Sequence, residues 1–277
     1  MQELGISSLG HIIEYGLLGK FENLFDLLLK ASEDCLKFAE ENNIKVVELV
    51  LDPPEIFNST NQQKYIDIIN SYSIKKQIHG PFIDVNLCSH NYDISKASIE
   101  SYCNTAKICK KIRAKIMTIH PGLANFLINS IREFNKMQLV QSVKSLLEFT
   151  NGIDITVCIE NMPKNCYIML DENNIEDIFS KIHQSNLFLT YDTSHFYTCD
   201  GNVKLLWEKF HSKIKNIHLV DNFSKKSDTH PPLGTGKVNF DEIFETIKSY
   251  NYTGALIIEL SSAKELTQSI EFINNFF

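Results

Sequence analysis

Nine side chains able to hold a divalent cation recur in this 277-residue chain at one kind of place, the end of a short apolar run or the loop just after it. They are His79 in KKQIHG, His120 in KIMTIHPG, Glu160 in DITVCIENMP, Asp192 and His195 in LFLTYDTSHF, His218 in NIHLVD, Asp228 and His230 in SDTHPPLGTG, and Glu259 in ALIIEL. Alone, a histidine ending such a run is ordinarily a hydrogen-bonded core or surface residue, and a glutamate there faces solvent. The set reads differently. Burying any one of these carboxylates unpaired is costly, and so many at equivalent positions point to a shared cause. Mixed imidazole and carboxylate donors suit zinc, manganese or iron better than calcium, which prefers oxygen. Five imidazoles and four carboxylates exceed what one four-coordinate ion uses. Two or three ions sharing a bridging carboxylate are therefore expected.

The elements that must position these residues are legible as alternation. Short β-rich runs occur at Leu4–Leu9, Lys45–Leu51, Lys75–His79, Lys115–His120, Asp154–Glu160, Leu187–Asp192, Ile214–Val220 and Ala255–Leu260. Longer amphipathic stretches separate them, clearest over Phe21–Asn42, Ile94–Arg113 and Ile131–Thr150, and Ala263–Phe277 is expected as the closing helix. Eight such βα units imply an α/β fold with parallel strands, a single (β/α)₈ TIM barrel over residues 1–277. An open doubly wound sheet is the competing arrangement. The barrel is favoured because it delivers all strand ends to one rim, where barrel active sites lie.

Bulk properties bound the reading. The chain fits one barrel of ~250 residues, and its 43% hydrophobic and 22% charged residues are those of a globular protein. No run of ~18 apolar residues suggests a membrane span, and MQELGISSLG does not resemble a signal peptide. A cytoplasmic location is the default expectation. The seven cysteines form no CxxC pair, so they read as ordinary thiols of a reducing compartment rather than a zinc-thiolate site. A net charge of −7 argues against a broadly basic, nucleic-acid-coated surface, although bound ions would invert the field locally.

The order and spacing of HPG at His120, IEN at Glu160, DTSH at Asp192–His195, HL at His218, DTH at Asp228–His230 before LGTG, and the late Glu259 resemble the endonuclease IV family of apurinic/apyrimidinic-site nucleases. That family lies within the xylose isomerase-like TIM barrel superfamily. The resemblance runs from His79 to Glu259, and Asp-x-His before LGxG is its most specific part. It implies that His79, His120 and Glu160 hold one ion. Glu160 would bridge to a second, bound also by Asp192, His218 and Glu259, with His195, Asp228 and His230 holding a third. It further implies hydrolysis of a phosphodiester at abasic sites in DNA, a DNA-repair activity, by water activated between zinc ions. Glu160 and Glu259 are then the catalytic carboxylates.

Some segments depart from that pattern. LDPPEIFNST carries no Arg or Lys where the family grips DNA. Phe82 could wedge against a flipped-out nucleotide, although packing beneath HGPFIDVNL is its ordinary role. Lys164, Lys225, Lys226 and Lys237 sit in rim loops as candidates for phosphate contact, Lys237 standing with Phe82 as a substrate-binding expectation. The rival is a sugar or sugar-phosphate isomerase or epimerase of the same superfamily, which Glu160, Asp192, His218 and Glu259 also resemble. There one divalent ion would suffice, and Glu160 and Glu259 would move a proton between adjacent carbons of a ketose. Glu48 resembles a residue of that branch, with a structural ion pair as its other reading. The Asp228–His230 pair discriminates, since a one-ion isomerase has no use for it. LGTGK is too short to cradle phosphate as a P-loop. His11, His90, His183 and His211 are expected outside the cluster, as surface or helix residues.

Overall fold

The computed structural model describes residues 2–57 and 59–277. Met1 and Asn58, the latter within LDPPEIFNST, lie outside the described residues, as does the side chain of Ser59. The chain runs β1 (Glu3–Ser7), α1 (Leu9–Leu18), α2 (Leu24–Glu41), β2 (Val46–Val50), α3 (Ser59–Ser71), β3 (Lys75–His79), α4 (Tyr92–Ile112), β4 (Ile116–Ile119) and α5 (Asn129–Thr150). It continues through β5 (Thr156–Glu160), α6 (Glu172–Ile182), β6 (Leu187–Asp192), α7 (Thr193–Thr198), α8 (Val203–Phe210), β7 (Ile214–Leu219), α9 (Phe240–Ser249), β8 (Ala255–Ile258) and α10 (Leu266–Asn274).

All eight strands are parallel, each pairs with its neighbours in sequence, and β1 closes the ring on β8 with Ile6 opposite Ile258. Closure removes the open-sheet alternative. It also leaves no exposed strand edge. Parallel strands covered by helices are buried on both faces, which explains why VVELV reads as an apolar run broken only by Glu48.

Several expected boundaries shift. Leu9 belongs to α1, a helix not foreseen, rather than to the first strand. Ala263–Phe277 divides into a 3₁₀ turn over Ala263–Glu265 and α10. After β6 the chain forms two short helices, α7 and α8. Asp192 caps α7 by accepting from His195 N at 2.7 Å, and Asn202 caps α8 by accepting from Leu205 N at 3.0 Å. No helix among the described residues is long and apolar enough to cross a membrane.

Side chains alternate along a strand, so the barrel interior is built in floors. Val46, Ala255 and Ile257 make a small apolar cluster inside the barrel. Beside it stands a polar floor: Thr118 Oγ1 lies 2.9 Å from Thr190 Oγ1, and Asn216 Nδ2 donates to Glu48 Oε2 at 2.8 Å. Both contacts join non-adjacent strands, so these groups face the barrel axis. Two residues further along the same strands come His120, Asp192 and His218. Helix-side packing uses large side chains, with Trp207, Tyr65 and Tyr102 fully buried. This outer layer fixes the strands, and the strands fix the rim.

Candidate metal centre

All nine expected residues converge on the rim. Glu160, Asp192, His218, His79, His195 and Glu259 are buried, while His120 and His230 are half-buried. Asp228 is the most open, its side chain retaining 30% of its accessible surface. Two of the groupings that the resemblance implies, His79–His120–Glu160 and His195–Asp228–His230, lie together, while donors expected around the second ion also group as His79–His218–Glu259 and Glu160–Asp192–His195. His120 Nε2 lies 2.9 Å and His79 Nε2 3.4 Å from Glu160 Oε2. His218 Nδ1 faces Glu160 Oε1 at 3.2 Å, Glu259 Oε2 at 3.8 Å and Asp192 Oδ2 at 4.0 Å. Asp228 Oδ2 receives His195 Nε2 at 3.0 Å and His230 Nε2 at 3.1 Å. Two donors each ~2.1 Å from a tetrahedral zinc stand roughly 3.4 Å apart, so these separations suit donors gathered around a cation.

Each ring is aimed by what its other nitrogen touches. His79 Nδ1 contacts Gly80 O at 2.8 Å, leaving Nε2 to the centre. His195 Nδ1 contacts Asn161 O at 2.9 Å, leaving Nε2 to Asp228. His195 Nδ1 also lies 3.4 Å from Glu160, but it is already held by the Asn161 carbonyl, so we assign His195 to the Asp228 group. His218 Nε2 meets Glu48 Oε1 at 2.8 Å. Asn216 Nδ2 is 3.1 Å from the same nitrogen. Both neighbours of Nε2 lie on the floor side of the ring, so Nδ1 is left facing the carboxylates.

The electrostatics are those of a site organised around charge. Burial alone would lower the imidazoles of His79, His195 and His218, but the surrounding carboxylates outweigh it. His79 is raised to about 9, chiefly by Glu160, and His195 and His218 go well above the usual histidine range. Asp192 is pushed up to about 7 by burial, with the charges of Glu160 and Asp228 adding to it. For Glu160 burial works upward, yet His218 and His120 hold it well below the ordinary carboxylate range. Burial lowers His120.

The residues present fit a divalent ion. Asp192 Oδ2, Glu259 Oε2 and His230 Nδ1 are buried without a hydrogen-bond partner among the described residues, and such orphaned donors and acceptors inside a protein call for an explanation. The triads His79–His120–Glu160 and His195–Asp228–His230 each place one donor atom per residue within 4.8 Å of the others. None of the possible metal clusters among the described residues includes a cysteine, and all seven thiols are free.

Of the substrate-binding expectations, Phe82 is part of the pocket and Lys237 is not. Phe82 packs edge-on to His79 at 5.2 Å between ring centroids and lies 5.7 Å from His120. Lys237 is exposed, and its backbone N–H donates to Asn222 O away from the pocket lining. Glu48 takes its ion-pair reading, fully buried beneath His218. His11 lies outside the cluster as expected, in α1, but it is buried rather than on the surface.

Sequence reasoning missed the residues that hold the loops. Asp52 Oδ2 accepts from Phe82 N at 3.0 Å and Ile83 N at 2.9 Å. Tyr102 OH donates to Pro81 O at 2.7 Å and accepts from His120 N at 2.9 Å, tying two rim loops together. Asp221 accepts from Gly234 N at 2.9 Å, Gly236 N at 2.7 Å and Val238 N at 3.1 Å. It thereby shapes the LGTG loop that carries His230. A Cβ on Gly236 would lie 2.2 Å from Asp221 Oδ1, so glycine is required there. A signal was available for Asp52 and Asp221, each a carboxylate directly after an apolar run.

Over 255 residues the chain is 28% identical to an uncharacterized protein of Methanocaldococcus jannaschii, covering 92% of this chain and 96% of the relative. It is 28% identical over 249 residues to a probable endonuclease 4 of Mesomycoplasma hyopneumoniae, covering 80% and 86%. Among solved structures, a D-tagatose 3-epimerase-like protein superposes with a TM-score of 0.81 at 22% identity, covering 99% of this chain and 97% of that one. The IOLI protein, solved with a bound zinc atom, gives 0.76 at 16% identity over 99% and 96%. At such identities the structures speak for the fold alone. The family model described as xylose isomerase-like TIM barrel matches residues 22–276. With the closed eight-stranded barrel and the strand-end ligands, this makes the chain a member of the xylose isomerase-like TIM barrel family.

Proposed function

We propose that the chain is a metal-dependent phosphodiester hydrolase that cleaves DNA at abasic sites. The observation that carries this reading is the His195–Asp228–His230 triad, contacts of 3.0 and 3.1 Å in which His195 uses Nε2, the nitrogen not turned to Glu160. A one-ion isomerase is served by Glu160, Asp192, His218 and Glu259 and leaves that triad without a purpose. The relatives named probable endonuclease 4 support the same direction. The epimerases among structural neighbours bear on the fold only.

Divalent ions, zinc foremost and manganese or iron next, would supply Lewis acidity and bring a water's pKa toward neutrality. The chain does the rest. Glu160 turns one oxygen to His79 and His120 and the other to His218, so a single carboxylate serves two ligand groups. Glu259 spans His218 and His230, at 3.8 and 3.5 Å, and so links the remaining pair. Leu9, Val50 and Phe82 give the pocket an apolar wall, which strengthens the electrostatics inside it. No Lys or Arg lines that pocket among the described residues. Charge on a phosphoryl group is therefore met by what the nine ligands hold, not by a side-chain cation.

The test is metal analysis of purified protein together with cleavage of a duplex bearing one abasic analogue. Two or more ions per chain with cleavage at the analogue is the expected result. Fewer than two ions, no cleavage and turnover of a ketose would transfer the assignment to the isomerase class.

A further inference from the structure

The metal pocket encloses ≈ 130 Å³, well below the ~300–1,000 Å³ of sites that surround a small-molecule ligand. Only the reacting group fits inside it, and the remainder of the substrate must lie outside. A second cleft of ≈ 500 Å³ adjoins it, and Asp228 lines both. Lys164 and Tyr167 enter this cleft from the loop after β5, Asp200 from the segment after α7, and Lys225 and Lys226 from the loop after β7.

The charge of that cleft runs against the rest of the molecule. The chain carries −7, yet here three ammonium groups face one carboxylate not already turned to the metal centre. That carboxylate, Asp200, pairs with Lys225 and lies 3.8 Å from Lys164, so it draws lysines from two loops toward one place. Lys226 has no carboxylate partner among the described residues. Tyr167 forms an aromatic wall, with the Arg132 guanidinium stacked 4.2 Å from its ring centroid. A cation-rich trough with an aromatic wall, opening onto a phosphoryl-sized pocket, is suited to a substrate that carries more than one phosphate.

We infer that this cleft binds a second phosphate of the substrate, next along from the one that reacts at the metal centre. The inference rests on the hydrolase reading in that the natural source of a second phosphate is the next nucleotide of a DNA strand. A free phosphorylated sugar would offer the same group.

The experiment measures binding as well as turnover, on the zinc-loaded full chain. The probe is a fluorescent duplex with one abasic analogue, titrated at several salt concentrations. Wild type is compared with Lys164→Ala, Lys226→Ala and the double variant. Lys115→Ala, at the strand entrance on the opposite end of the barrel and paired with Asp154, is the control. Each cleft variant is expected to reduce the slope of log affinity against log salt by ~1, with zinc content unchanged, and the control to match wild type. Unaltered slope and affinity in the double variant, while wild type binds and cleaves the duplex, would overturn the cleft and leave hydrolysis standing. If wild type neither binds nor cleaves the duplex, the hydrolase reading fails, and inorganic pyrophosphate becomes the deciding probe. Weaker pyrophosphate binding in the double variant would then assign the cleft to a free phosphorylated ligand, and equal binding would overturn it.

Discussion

Glu48 Oε1 stands 2.8 Å from His218 Nε2, with both side chains fully buried, at the junction of the polar floor and the ligand rim. The approach is off the line of an ideal hydrogen bond, but it is the closest contact His218 makes with a carboxylate. The His218 ring lies between Glu48 below and Glu160, Asp192 and Glu259 above. Glu48 thus places a carboxylate behind the ring whose Nδ1 faces the ligand carboxylates.

Removing Glu48 therefore tests orientation against charge. Glu48→Ala is expected to weaken zinc binding 10–100-fold in competition with a chromogenic chelator. Glu48→Gln can still accept from His218, and Asn216, whose Oδ1 is buried and unpartnered, can turn to meet the new amide. It should recover most of that affinity. Equal losses in both variants would show that charge, not ring orientation, is what Glu48 contributes.

Glu160 is the residue that joins two ligand groups. Glu160→Ala is expected to abolish cleavage and to lower metal content by at least one ion per chain, read by elemental analysis. Full activity in that variant would remove the bridging role.

The Asp228 group separates the two enzyme classes. Asp228→Asn with His230→Ala is expected to remove one bound ion and to reduce abasic-site cleavage at least ~100-fold, the scale of a lost electrostatic contribution to phosphoryl transfer. An enzyme using only the Glu160, Asp192, His218 and Glu259 set would turn over unchanged.

Metal removal should expose the histidines to titration. In the metal-free protein His79 is raised to about 9, so the folded state binds a proton that the unfolded state releases near pH 6.5. Stability from this group is complete below pH 6.5 and is lost as pH rises through about 9. Chelator-treated protein is expected to lose Tm across that window. His120, which burial lowers, works the other way only as pH falls below its ordinary value. A metal-free Tm that rises from pH 6.5 to 9 would contradict the carboxylate cage around His79.

Asp52 holds the Phe82–Ile83 loop through two backbone N–H groups, at 3.0 and 2.9 Å. Hydrogen bonds to a charged acceptor are worth ~1.5–3 kcal/mol each. Asp52→Ala should free the loop, raise KM for the abasic duplex about tenfold or more, and leave zinc content intact. A fall in zinc content with KM unchanged would place Asp52 in support of the centre instead of the substrate wall.

The alternation of apolar runs with amphipathic stretches, and carboxylates or imidazoles ending those runs, determined the barrel and the nine side chains gathered at its rim. Both follow from local chemistry: strand and helix periods are written in neighbouring residues, and a rim position is simply the end of a strand. Three-dimensional closure decided what that logic could not reach. Glu48 lies 170 positions before His218, and nothing near either residue announces their contact, because it crosses the barrel axis. The same holds for Asp52 and the Phe82 loop, for Tyr102 beneath His120, and for the lysine-lined cleft that three separate loops assemble. A sequence records which side chains each strand presents, whereas which ones meet depends on the register and curvature that β1 and β8 fix when they pair.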